Sequence, residues 1–479
     1  MVSTVDISKE IWMRIGQYLP LTDKAAASRV SKAWSEVFRT QMYRSLSLRR
    51  RDNNRDDDWS LGRGEDDDDY DDEEDEEAER RRSLKVLMPP KETVYKYRAS
   101  IQDLKLDFPS PFLNNATIFA TPGLKRLLVN SSKNAAETPE ALAILDPLLT
   151  SPGLKNIEVH GFKLKGVMYI LERVQHVESV SFNMCDFTGI EAAFKKAKLD
   201  LRIKKLDLRL NQGMGFQDLI NWIGHFRHLD TLGLDHPPDN ISDDAIIFPE
   251  KAPKINMSAL SKLTGLNILA VSGPMLWGDQ LAKMLKNCPK VTNLSLFNQT
   301  LYDDGFLAMA ELFPHLTTLN MVGCDRVRVW MIKMILDSCP RMLHLVCPQF
   351  DLEYLPNPKA YSYVGPAGMS RNSASAWPCT GLKTLVLQDV TWSSKPSHLK
   401  WFMKQIGSLK NLEVFQMQYV DREEEELKAV LPGSVRSTGK DLKVTLKEGH
   451  FLRNDLEKTK ALKWVLDVWP NMKMFTIMP

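Results

Sequence analysis

The residues able to do chemistry are few and poorly grouped. Nine histidines and six cysteines are scattered through 479 residues. His225 and His228 stand three apart on an expected helix beside Trp222 and Phe226, so partly buried structural roles are expected of them rather than metal ligation. The cysteines form no CxxC pair, which argues for free thiols in a reducing compartment and against zinc or a disulfide framework. Gly213-Met214-Gly215 lacks the third glycine and the strand-turn context of a phosphate loop. There is no HExxH, no Walker lysine loop and no GxSxG. No catalysis and no cofactor are therefore expected. Basic residues are not interleaved with aromatics in a stripe, so nucleic acid is not expected either. The chain is 43% hydrophobic and 26% charged, the balance of a soluble globular protein. No apolar run approaches the ~20 residues of a membrane helix, and the N-terminus lacks a secretory pattern.

What the chain does carry is a repeated strand phrase, L-x-x-L-x-L. It occurs as Leu154-Lys-Asn-Ile-Glu-Val159, Ile203-Lys-Lys-Leu-Asp-Leu208, Leu316-Thr-Thr-Leu-Asn-Met321 and Leu382-Lys-Thr-Leu-Val-Leu387, among about 12 irregular copies. First positions at 266, 291, 316 and 342 are 25 or 26 apart. That period predicts leucine-rich repeats, each a strand plus a helix. The spacing predicts helices over 303–313 and 329–338. Pro289, Pro314 and Pro340 fall where such helices must stop, and Cys288 and Cys339 are expected to pack as small apolar groups at those ends. The expected fold class is α/β: a curved solenoid with parallel strands on the concave face and helices on the convex face.

The first 48 residues follow another logic. Apolar residues at 7, 11, 15 and 19 have helical spacing, and Pro20 ends the run. A second helix is expected from about Asp23 to Tyr43. One reading is a helical cap on the next domain; the other is a docking surface. The second is favoured because the stretch resembles an F-box: Glu10, Ile11, Ile15, Leu19, Asp23, Val30, Ser31, Lys32 and Trp34 match that family. Ser8 stands where the family has Pro, and Ala25-Ala26 replace its Leu. The resemblance implies an SKP-type adaptor as partner, held by Ile7, Ile11, Ile15, Leu19, Val30 and Trp34, and a cullin bound through it. Residues 1–48 are then an N-terminal helical F-box. Ser45 to Leu48 is also a possible first strand.

Between hook and repeats lies an acidic block. Residues 49–82 hold 17 carboxylates and eight arginines, a net of −9, leaving +11 for the rest of a chain whose total is +2. Residues 49–98 are expected to be an acidic disordered linker, or a tether that holds basic partners or shields the basic remainder.

The repeats, residues 99–479, are expected to carry loop insertions near 236–258 and 349–380. The second is rich in Pro, Gly, Ser and Tyr, and Tyr354, Tyr361, Tyr363 and Trp377 make it a candidate surface loop. Phrase positions 1, 4 and 6 point into the core, so positions 3, 5 and 7 form the concave face. Phe297, Asn320, His344, Gln388 and Gln416 on that face are the candidate substrate-binding residues. The resemblance implies the substrate-recognition subunit of an SKP–cullin–F-box ubiquitin ligase: itself non-catalytic, cytoplasmic or nuclear, binding a protein substrate and neither nucleic acid nor membrane. The alternative is a scaffold that binds the adaptor outside any ligase.

Overall fold

The computed structural model describes residues 21–29, 37, 39, 44–48, 95–109, 118–132, 135–235, 255–272, 278–348, 350–351, 377–391, 405–419, 449–452 and 474–478. Residues 1–185 and 186–479 form two compact units.

In unit one, five strands pair in parallel in chain order: β1 (Ser45–Leu48), β2 (Asp103–Phe108), β3 (Arg126–Ser131), β4 (Asn156–His160) and β5 (Ser179–Asn183). β1 thus pairs with β2, and the acidic block lies in the connection between these two adjacent strands. The described helices are α1 (Leu21–Ala27), α2 (Pro139–Ala143), α3 (Asp146–Leu149) and α4 (Leu164–Arg173). α1 does not continue as one helix to Tyr43. It closes in a turn at Ser28 and Arg29, where the Ser28 hydroxyl donates to the Ala25 carbonyl and the Arg29 amide to that of Ala26. A serine side chain competing for backbone carbonyls favours such an end.

In unit two, the strands are β6 (Lys205–Arg209), β7 (Thr231–Asp235), β8 (Ile268–Ser272), β9 (Asn293–Phe297), β10 (Thr318–Asn320), β11 (His344–Cys347), β12 (Phe350–Asp351), β13 (Thr384–Thr391), β14 (Val414–Tyr419), β15 (Gly449–Leu452) and β16 (Met474–Met478). They pair in parallel from β6 through β11 to β13, β14 and β16. The two-residue β12 joins β13, and β15 adds the one antiparallel pair among the described residues, on β16. The helices are α5 (Ile190–Ala197), α6 (Phe216–Ile223), α7 (Gly278–Asn287), α8 (Asp303–Ala310) and α9 (Val329–Ser338). A 3₁₀ turn at Met257–Lys262 stands where the 229-to-266 repeat would carry its helix.

This is a leucine-rich-repeat architecture. Leu154, Ile157 and Val159 are buried, as are Leu316, Leu319 and Met321, while Glu158, His160, Thr318 and Asn320 between and after them are half-buried and Asn156 is exposed. Burying one such side chain stabilises by about 1.5–3 kcal/mol, and each repeat from Ile101 to Leu387 does so three times. The strand starts are tied by a backbone ladder: the amide at phrase position 2 donates to the position-2 carbonyl of the preceding repeat. Thr292, Thr317 and Leu343 do so at 2.9, 2.8 and 2.8 Å. After the strand, position 8 turns through the left-handed region, at Gly161 and Met184 in unit one and at Leu210, Asn298 and Gly323 in unit two.

Candidate interaction surface

The face of the sheet that carries positions 3, 5 and 7 differs between the units. In unit one it is charged. Arg126 donates to Glu158 at 2.7 Å, His160 Nε2 lies 2.9 Å from the other Glu158 oxygen, and the Asn130 amide donates to Asp107 at 3.0 Å. Burial pushes the Glu158 carboxyl upward, but the hydrogen bonds from Arg126 and His160 outweigh it and hold the group below its ordinary value.

In unit two, β6 and β7 still carry charge: Lys205, Asp207, Arg209 and Asp235. Arg209 donates to Asp207 at 2.7 and 3.0 Å. From β8 to β14 the first two register rows carry no charge. The first register row reads Ile268, Asn293, Thr318, His344, Thr384 and Val414. The second reads Ala270, Ser295, Asn320, Val346, Val386 and Gln416. A third begins with Ser272 and Phe297. No Asp, Glu, Lys or Arg occurs in these rows, and every side chain named is half-buried.

All five sequence-derived substrate residues fall on this face, but in three rows. His344 is in the first, with Nδ1 3.0 Å from the Thr384 hydroxyl. Asn320 and Gln416 share the second, three strands and so about 14 Å apart. The Asn320 side chain also accepts from the Val322 amide at 3.1 Å, which fixes its oxygen. Phe297 ends β9. Gln388 lies where the β13 register shifts between Leu387 and Val390. Neighbouring threonines stiffen the strand starts: the Thr317 hydroxyl donates to Asn293 at 2.7 Å.

Two sequence expectations need correcting. Trp377 is not a loop aromatic; it is 2% exposed, and its amide donates to Gln405 at 3.1 Å. An indole flanked by Pro378 and Cys379 reads as loop composition, yet it is core. His228 is exposed, whereas His225 is half-buried with its ring 5.3 Å from that of Phe194. Burial lowers the His225 pKa, helped by the nearby cations Lys262, Lys195 and Arg227. All six cysteines are buried and free, and burial pushes the thiols up, Cys288 to about 12 and Cys379 to about 11. Their neutral form dominates, as suits packing groups. Among the described residues no cluster of three or more His, Cys, Asp or Glu could hold a metal ion, and no helix is long and apolar enough to cross a membrane. Ile7, Ile11, Ile15, Leu19, Val30 and Trp34 lie outside the described residues, as do Tyr354, Tyr361 and Tyr363.

No family model matches this chain, and no curated protein does. Among solved structures it is similar to an internalin from Listeria monocytogenes, at 14% identity and a TM-score of 0.31, covering 69% of this chain and 77% of that one. It is also similar to a leucine-rich-repeat protein of Leptospira interrogans, at 13% identity and a TM-score of 0.31, covering 81% and 97%.

Proposed function

We propose that this chain is the substrate-recognition subunit of a cullin-RING ubiquitin ligase. The N-terminal hook would dock an SKP-type adaptor, and the face of β8 to β14 would hold a protein substrate. The observation that carries the second half is the uncharged double row on rigid strands. Protein interfaces are depleted of charge at their cores, because a desolvated charge must find a partner. Neutral Asn, Gln, Ser and Thr beside Val, Ile and Phe can be dried at low cost and can still read hydrogen-bond patterns. The first half rests on the F-box resemblance of Glu10, Ile11, Ile15, Leu19 and the Val30-to-Trp34 signature.

In this reading the chain breaks no bond. It raises the local concentration of substrate lysines beside a ubiquitin-charged enzyme. Its place is the cytoplasm or nucleus, where six unpaired cysteines suit the reducing medium. Affinity purification of the tagged chain tests the assignment. Adaptor and cullin should co-purify, and the double substitution Ile11→Ala and Ile15→Ala should remove both while the repeats stay folded. Adaptor without cullin would indicate a scaffold. Unchanged adaptor binding by the double variant would refute the F-box.

A further inference from the structure

A second feature of unit two lies at its edge rather than on its face. The residue immediately before the first apolar position of the phrase is Arg202, His228, Lys290, His315 and Arg341 in five of its repeats. In the repeat between His228 and Lys290 that place is Gly265, with Lys262 three residues earlier. Arg227 adds a further cation beside His228. All of these cationic and imidazole side chains are exposed.

The repeats hold them in line. The ladder at phrase position 2 joins Lys204 to Asp230, Asp230 to Asn267, Asn267 to Thr292, Thr292 to Thr317 and Thr317 to Leu343, each bond between 2.8 and 2.9 Å. The residues two places before those positions are therefore carried one per strand. From β6 to β11 the row runs about 24 Å, the length of about seven extended residues.

Five cations elsewhere in the unit have carboxylate partners. Lys195 pairs with Glu191, Arg209 with Asp207, Arg328 with Asp303, Lys333 with Asp337 and Lys383 with Glu413. Among the described residues no carboxylate pairs with Arg202, Arg227, Lys262, Lys290 or Arg341. Asp200, Asp230 and Glu311 are exposed carboxylates beside the row, and none pairs with these cations. The row is thus net positive, with five cations against three nearby carboxylates and no ion pair between them among the described residues.

We propose that this edge is a docking track for an extended acidic peptide, distinct from the uncharged face. Charge complementarity selects the sign of the ligand. The scarcity of stacking groups favours its class: Trp222, Phe226 and Phe313 behind the edge are buried, so among the described residues of the row the rings offered to a nucleobase are the two small imidazoles of His228 and His315. Flexible lysine and arginine stems adapt to carboxylates along an extended chain.

Fluorescence anisotropy tests this with a labelled peptide of the sequence Glu65 to Glu77, in which 12 of 13 residues are acidic. It is titrated with the full-length chain, and with the same chain carrying a Gly/Ser replacement of residues 65–77. Saturable binding by either form, weakening as salt rises, is expected. Arg202→Ala, Arg227→Ala, Lys290→Ala and Arg341→Ala together should weaken it about tenfold or more without lowering the melting temperature. A matched variant of exposed lysines in unit one, Lys125→Ala, Lys155→Ala, Lys163→Ala and Lys165→Ala, should change it by less than about twofold. Binding by neither form overturns the proposal, as does an equal loss in the matched variant. A single-stranded 13-mer oligonucleotide that binds more tightly, with the same loss in the edge variant, would assign the track to nucleic acid and overturn it too.

Discussion

Replacing Glu137 should loosen one helix start without unfolding the protein. Its carboxylate accepts from the backbone amides of Lys163, at 2.8 Å, and Gly166, at 2.9 Å. It thereby caps α4 from the preceding repeat, since Lys163 at the N-cap makes no side-chain cap bond. Charge-assisted bonds of this kind contribute about 1.5–3 kcal/mol each before the burial of the charge is subtracted. That burial is the larger influence on Glu137, raising its pKa against the pull of the two amides. The net cost of Glu137→Ala is therefore about 2 kcal/mol, in the range of a lost helix cap. Native-state hydrogen exchange reads it directly: amides 163–167 should exchange about 30-fold faster, while those of α8 in unit two should not change. Glu137→Gln keeps one acceptor and removes the buried charge, so it should fall well short of that effect. The pH dependence follows from the raised pKa. Between its ordinary value and the raised one, the folded state binds the proton more tightly, so protection of these amides should decline as pH rises through that window. The glutamine variant should show no such decline. Unchanged exchange in the alanine variant would refute the reasoning.

Gly323→Ala should destabilise unit two. The site has φ +68°, and an added Cβ would lie 2.0 Å from Asn298 Oδ1. The left-handed conformation alone costs about 1–2 kcal/mol for alanine, and a lowered urea midpoint would show it. Glu158→Gln should flatten the acid limb of unit one. Glu158 has a depressed folded pKa, so it stabilises above its ordinary value and that contribution is lost as pH falls below it. Melting curves from pH 6 down to pH 3 should separate wild type from variant only at the upper end; equal curves throughout would contradict the Arg126–Glu158–His160 network.

The repeat register was legible because three buried apolar positions per phrase leave a period that polar insertions cannot erase. Leu316, Leu319 and Met321 mark a strand in sequence and in space alike. The face follows from alternation: Asn320 and Gln416 both hold phrase position 5, and the strand register puts them in one row. Other features depended on long-range packing. Trp377 carries the composition of its loop, and only its burial, with its amide bonded to Gln405 of the next repeat, makes it core. The 3₁₀ turn at Met257–Lys262 and the antiparallel β15 have no periodic signal of their own. The basic edge is written in the sequence at one place in five of the repeats of unit two. Composition windows run along the chain and so miss a column that runs across it.

Site-specific crosslinking tests the central claim most directly. A photoreactive residue at position 320, in the uncharged face, is compared with one at position 165, beside α4, in cells with the proteasome inhibited. The account predicts protein adducts specific to position 320 that carry ubiquitin. That ubiquitin should disappear with Ile11→Ala and Ile15→Ala, while the adducts themselves persist. Adducts that form equally at position 165, or that carry ubiquitin regardless of the hook, would contradict it.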